Sequence, residues 1–448
     1  MSPPPGTVTA SAGAGRLRGP VVAGLVGKAA EAVTLMLLAT LVPRVLGPAD
    51  YGRFAVALTV VAIGSVAMTL GGATLLARYV PAATPDERGA LARALSLRLA
   101  RNRAAQFAVL VVIAVALVAW DPARFPPMLT AFVLIALALN VAATLALQAD
   151  LGMGRAGVWC ARYPVQNAVL VAATLVLYEA AGVTGALGAI VVAAAVAFAL
   201  GAVTAAPLLR RQRPPVALPD GALRFGYLQA TSGALVQLAQ RGGVIAVALL
   251  LGSSLQTGYA ALAVGVACAA TYAIVQVFTV SLPWLAERHG AGAVDASGAV
   301  DAEPVLRRLA GGLLAVVVPA AAVAVLAIDT VVPIVFGGDY AGAAEAFGPA
   351  LAMVVLAPVN ALAVQAAALR LRPEATLCCA VAGAAAFAGV AVLAVPAWGA
   401  SGATCAALAG AAASALLAIR ILPGAVGIRL AVASLGGAAV VAVSGVLT

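Results

Sequence analysis

The stretch LGPADYGRFAVALTVVAIGSVAMTLGGATLLARYVP, residues 46–81, decides the fold. A Gly47-Pro48 turn leads through Tyr51 and Gly52 into an apolar run that ends in Gly71-Gly72 and then Arg78, Tyr79 and Pro81. No side chain from Phe54 to Ala77 is charged, and about 20 such residues cross a bilayer as a helix. A related stretch, LGSSLQTGYAALAVGVACAATYAIVQVFTVSLPWLAERHG, opens at Leu251. It also begins Leu-Gly, reaches Gly258 and Tyr259, crosses as an apolar run and closes near Pro283 and Arg288. Gly47 and Gly252 stand 205 positions apart, close to half of the 448-residue chain, which marks an internal repeat.

Composition points the same way. Hydrophobic residues make up 64% of the chain and charged residues 9%, against about 25% charged in soluble domains. With a mean hydropathy of +1.09, the apolar surface exceeds what a water-surrounded core can hide, so the bilayer is the solvent. The formal charge of +10 is no footprint of nucleic acid, because the arginines fall in short breaks between apolar runs, where they set topology. The five cysteines lie inside apolar runs and read as packing groups rather than a disulfide framework. His289 is the only histidine and sits in a polar break, which excludes a histidine-based metal site. No phosphate-cradling glycine loop and no Ser/His/Asp set is present, so the expectation is a non-enzyme with no cofactor and no metal.

Hydropathy and breaker residues place thirteen spans at roughly 20–42, 51–77, 105–120, 127–149, 157–178, 184–206, 225–251, 258–284, 309–328, 346–368, 376–396, 402–419 and 430–447. The even-numbered breaks carry nearly all the arginines, among them Arg88, Arg93, Arg98, Arg155, Arg210, Arg224, Arg307, Arg370 and Arg420. The opposite side holds only Arg44, Arg53 and Arg124. The positive-inside rule therefore puts the N-terminus and the even breaks in the cytoplasm. The expected organisation is a Pro/Gly/Ala/Ser-rich disordered terminus over 1–15 and a first lobe of six spans over 16–206. A Pro/Arg-rich cytoplasmic linker at 207–224, a second lobe over 225–422 and an extra helix at 423–448 follow. The Gly/Ala/Asp-rich segment 287–308 reads as a flexible loop. Both lobes start from the same side, the parallel kind of repeat, and such bundles commonly enclose a central cavity.

Several stretches carry a family resemblance. GPADYGRFAVALTVVAIGSVAMTLGGATLLARYVP (47–81), FGYLQATSGALVQLAQRGGVIAVALLLGSSLQTGYAAL (225–262), FGGDYAGAAEAFGPALAMVVLAPVNALAVQAAAL (336–369) and PAWGASGATCAALAGAAASALLAIRIL (396–422) occur in an order and spacing similar to the Wzx-type oligosaccharide flippases. These polysaccharide transporters belong to the MOP exporter superfamily. The resemblance implies an all-α, MATE-like polytopic fold of 12–14 transmembrane helices in two pseudo-symmetric lobes. It also implies a plasma-membrane carrier that flips undecaprenyl-pyrophosphate-linked oligosaccharide by alternating access for surface polysaccharide biosynthesis. Proton or sodium coupling, and polymerase or glycosyltransferase partners, belong to the same expectation. The chain departs from the family in its seventh span, where an acidic residue is frequent and this sequence has Gln237, Gln240 and Arg241. The alternatives are a peptidoglycan-precursor flippase, a MATE-type cation antiporter and an integral-membrane polysaccharide polymerase. A cationic cavity disfavours cationic drugs.

The polar residues inside spans are the candidate site. Lys28 and Glu31 lie about 13 and 18 Å into the first span and share a helix face. They form either a structural ion pair or a cavity site for a pyrophosphate headgroup or coupling ion, with Glu31 the first choice for coupling. Arg241 lies about 24 Å into the seventh span. It either snorkels outward or faces a cavity and attracts an anionic substrate, with Gln237 on the same face. Arg162, near its span's entry, is expected to snorkel. Asn140, Asn360 and Gln365 are either interhelical glue or part of a sugar-lined cavity. Arg53 and Arg78 cap the second span, as headgroup contacts or at a cavity mouth.

Overall fold

The computed structural model describes residues 11–69, 71–72, 75–76, 79–80, 83–153, 155–210, 218, 221–288, 296–370, 372–422 and 426–447. Their elements are α1 (Ser11–Met68), α2 (Pro85–Trp120), α3 (Pro127–Gly152), α4 (Ala156–Arg210) and α5 (Ala222–Leu251). There follow α6 (Ser254–Arg288), α7 (Ala296–Phe336), a 3-10 turn (Gly338–Ala343), α8 (Ala344–Leu369), α9 (Pro373–Ile421) and α10 (Ile428–Leu447). The fold is all-helical, and among the described residues ten helices are long and apolar enough to cross a membrane. This is a multi-pass membrane protein.

Three of the ten are too long for one crossing. Each breaks at a glycine with positive φ: α1 at Gly47 (68°), α4 at Gly182 (56°) and α9 at Gly399 (56°). A side chain at such a site would clash with the following carbonyl, so the sequence places its bends where glycine stands. The ten helices thus make thirteen apolar segments.

Some boundaries differ from expectation. The third segment starts at Pro85 rather than 105, because Arg98, Arg101 and Arg103 lower the hydropathy without ending the helix. The second ends at Met68 rather than 77, followed by a turn at Thr69 and a positive φ at Gly71. Residues 296–308, expected in a flexible loop, form the first turns of α7, and residues 11–15 are helical; residues 1–10 and 289–295 lie outside the described set.

Side-chain contacts sort the breaks into two ends of the bundle. At one end, Tyr178 Oη donates to Asp50 Oδ2, Tyr340 Oη donates to the Pro43 carbonyl and the Ala400 amide donates to Gln256 Oε1. At the other, Asn102 meets Tyr227, Arg224 meets Glu374 and Arg370 meets Glu303. The second end is the arginine-rich one, as the alternation of breaks requires.

The two sequence halves touch along α1. Near the Gly47 end, Gly52 lies against the Ser254 backbone and Gly258 against Pro48, so closely that neither site has room for a Cβ. Tyr340, 1% exposed, seals this end between Tyr51 and Tyr259, with ring centroids 6.4 and 6.3 Å away. Toward the arginine-rich end, Val66 packs on Gly233 and Gly71 on the Gly226 backbone. Small residues let backbones approach this way. The halves therefore touch near both ends of α1, and α8, the most buried segment, anchors the second half between α6, α7, α9 and α10.

Candidate functional site

A cavity lies to one side of the contact between the halves. About 360 Å³ in volume, it is bounded by α5, α6, α8 and α9, and Val66 is its one lining residue from the first half. This cavity lies mainly within the second half, whereas the sequence led to the expectation of one between the copies. It runs from Arg241, Cys268 and Met353 toward Gln229, Thr376 and Leu422 at the arginine-rich end.

Arg241 is the one charged residue among those lining it. Its Nε is buried with no hydrogen-bond partner, and it forms no ion pair among the described residues. It sits ten positions before Leu251, about 15 Å from that helix end, and it faces the cavity rather than the lipid. Gln237 and Gln240 on α5, Thr271 and Tyr272 on α6, and Asn360 on α8 join it on the wall. Asn360 Nδ2 donates to the Ala411 carbonyl at 3.2 Å. Thr271 Oγ1 is buried and unpartnered. Buried polar groups are normally paired, so unpartnered ones in residues that line a cavity suit an oxygen-rich ligand. Guanidinium matches phosphate oxygens with two parallel donors.

Tyr272 also ties this wall to the first half. Lys28 Nζ donates to Glu31 Oε2 at 2.8 Å and to Tyr272 Oη at 2.7 Å, and Tyr272 Oη donates to Glu31 Oε1 at 2.7 Å. Lys28 lies over the rings of Trp159 and Tyr272, 5.2 and 5.3 Å from their centroids. With side chains 20% and 6% exposed, Lys28 and Glu31 form a compensated pair that joins α1 to α4 and α6. Tyr272 was not evident from the sequence, because its partners lie 241 and 244 positions away; a lone tyrosine inside an apolar run was its one signal.

The other predicted residues lie elsewhere. Asn140 belongs to a polar cluster of the first half, donating to Ser65 and accepting from Arg162. Arg162 does not snorkel: it is 3% exposed and bonded to Asn140 and Thr144. These side chains meet its guanidinium inside the bundle, so it has no need of the interface. Arg53, its side chain 60% exposed, pairs with Asp50 at the Gly47 end, away from the cavity. Gln365 is half-buried on α8 and does not line the cavity. Arg78 lies outside the described residues.

No protein-family model and no curated protein matches the chain. Solved structures do. The lipid II flippase MurJ in an inward closed conformation superposes with a TM-score of 0.62 at 8% identity, covering 95% of this chain and 96% of that one. The MATE transporter VcmN of Vibrio cholerae gives 0.55 at 13% identity, over 90% and 95%. A MOP superfamily transporter from Pyrococcus furiosus, whose binding pocket is described as reversed in polarity, gives 0.52 at 13%, over 93% and 95%. At these identities the likeness is one of fold. The chain has the fold of the MATE transporters and of MurJ.

Proposed function

We propose that the chain is a secondary transporter that flips undecaprenyl-linked oligosaccharide units across the plasma membrane for surface polysaccharide biosynthesis. It would do so by rocking two lobes, residues 16–206 and 225–422, about the contact between the halves. The observation that carries this reading is Arg241, an uncompensated guanidinium in a cavity whose other polar groups are amides and hydroxyls. The cation would take the pyrophosphate, and Gln237 and Asn360 the sugar hydroxyls. Glu31 would couple the cycle to a proton or sodium ion by exchanging its bonds to Lys28 and Tyr272. The arginine-rich end would face the cytoplasm with the N-terminus. The fold shared with MurJ supports the neighbouring reading, a peptidoglycan-precursor flippase, and the substrate panel below separates the two.

The test is flipping of fluorescent undecaprenyl-pyrophosphate glycans by the purified chain in proteoliposomes. The expected result is flipping of glycan-bearing lipid, reduced about 10- to 100-fold by Arg241→Ala, the worth of one hydrogen-bonded charge. Equal flipping by the variant would remove Arg241 from the path. Activity on a peptidoglycan precursor alone would favour the neighbouring reading.

A further inference from the structure

The first half holds two more guanidiniums inside its helical core. Arg162 of α4 is 3% exposed and Arg103 of α2 is 4% exposed, and no carboxylate pairs with either among the described residues. Arg162 Nη2 donates to Asn140 Oδ1 and Thr144 Oγ1, each at 2.7 Å, on one face of α3. Arg103 donates to the carbonyls of Val141, at 3.3 Å, and Thr69, at 2.8 Å. Both cations are thus drawn to the same turn of α3. Asn140 Nδ2 donates to Ser65 Oγ at 2.8 Å, and Thr144 Oγ1 donates to the Asn140 carbonyl at 2.7 Å. The Nε of each is buried without a partner.

Neutral oxygens satisfy donors but do not cancel charge. Each of these cations, held in a low-dielectric core, has lost its hydration. Lys28 and Glu31 neutralise one another and have nothing to spare. A coupling cation would be repelled from this core by the same field. An anion offsets the uncompensated charge, and surroundings buried this deeply suit a monatomic ion better than a lipid headgroup.

We propose that the guanidinium of Arg162, beside Asn140, binds a small inorganic anion of chloride size, at a site distinct from the cavity at Arg241. The proposal goes beyond the transport reading and does not rest on it.

The test uses the full chain in detergent micelles. Sodium chloride replaces sodium gluconate at constant ionic strength, and the Tm is followed. The expected result is a saturable rise with chloride and equally with bromide, since a ligand of the native state alone stabilises it. Arg162→Gln abolishes the response, Arg162→Lys keeps a weaker one, and Arg241→Ala keeps it in full. Because Arg162→Gln could fail to fold, bromide-soaked crystals of the unaltered chain provide a second readout, an anomalous peak beside Arg162. The proposal is overturned by the absence of saturable halide dependence, by its survival in a folded Arg162→Gln chain, by its loss in Arg241→Ala, or by a bromide peak located elsewhere.

Discussion

At the scale of single residues, charge compensation distinguishes the buried cations. Lys28 has Glu31 and Tyr272; Arg241 forms no ion pair among the described residues. Removing one partner of a buried pair strands the other, which costs about 3–5 kcal/mol. Lys28→Ala and Glu31→Gln are each expected to destabilise the chain by that amount in denaturant titrations, and Lys28→Met with Glu31→Leu together to recover most of it. Tyr272→Phe, which deletes one hydroxyl, should cost nearer 1 kcal/mol. Additive losses in the double variant would show that the pair does not act as a unit. The i,i+3 spacing made Lys28 and Glu31 legible in the sequence, and the lone cation in an apolar run did the same for Arg241. Tyr272 and the inward turn of Arg162 were not legible. Both depend on partners brought from other helices, and hydropathy along one helix carries no trace of them.

At the scale of elements, glycines decide where helices bend and how closely they cross. Gly258 sits where a Cβ would run into the Pro48 carbonyl. Gly312 of α7 has nothing within 4 Å of that position. Gly258→Val is therefore expected to lower stability by about 1–3 kcal/mol or more through overpacking. Gly312→Ala should raise it by roughly 0.4–1 kcal/mol by restricting the unfolded chain. Thermal unfolding of both variants checks the contrast; matching shifts would remove the close crossing from the account. The apolar runs were readable because span length and breaker residues alone set them. The start of α2 was not, since Arg103 turns inward to the Thr69 and Val141 carbonyls and so leaves the helix intact where a hydropathy profile drops.

At the scale of the whole molecule, the two stretches that the sequence pairs lie against each other. The two Leu-Gly stretches meet at Gly52 and Gly258, at the end opposite the arginines. The cavity at Arg241 sits mainly in the second half, a placement that no reading of composition contains. The proposed flipping would require the contacts between the halves to part, so residues on the cavity wall should change the face from which they can be reached. The most direct measurement is thiol accessibility. With the five native cysteines replaced by alanine, Gln237→Cys is placed in oriented vesicles and challenged with membrane-impermeant reagents from either side. The account predicts labelling from the arginine-rich face at rest and from the opposite face once glycan lipid is supplied. Labelling from one face under every condition would contradict it.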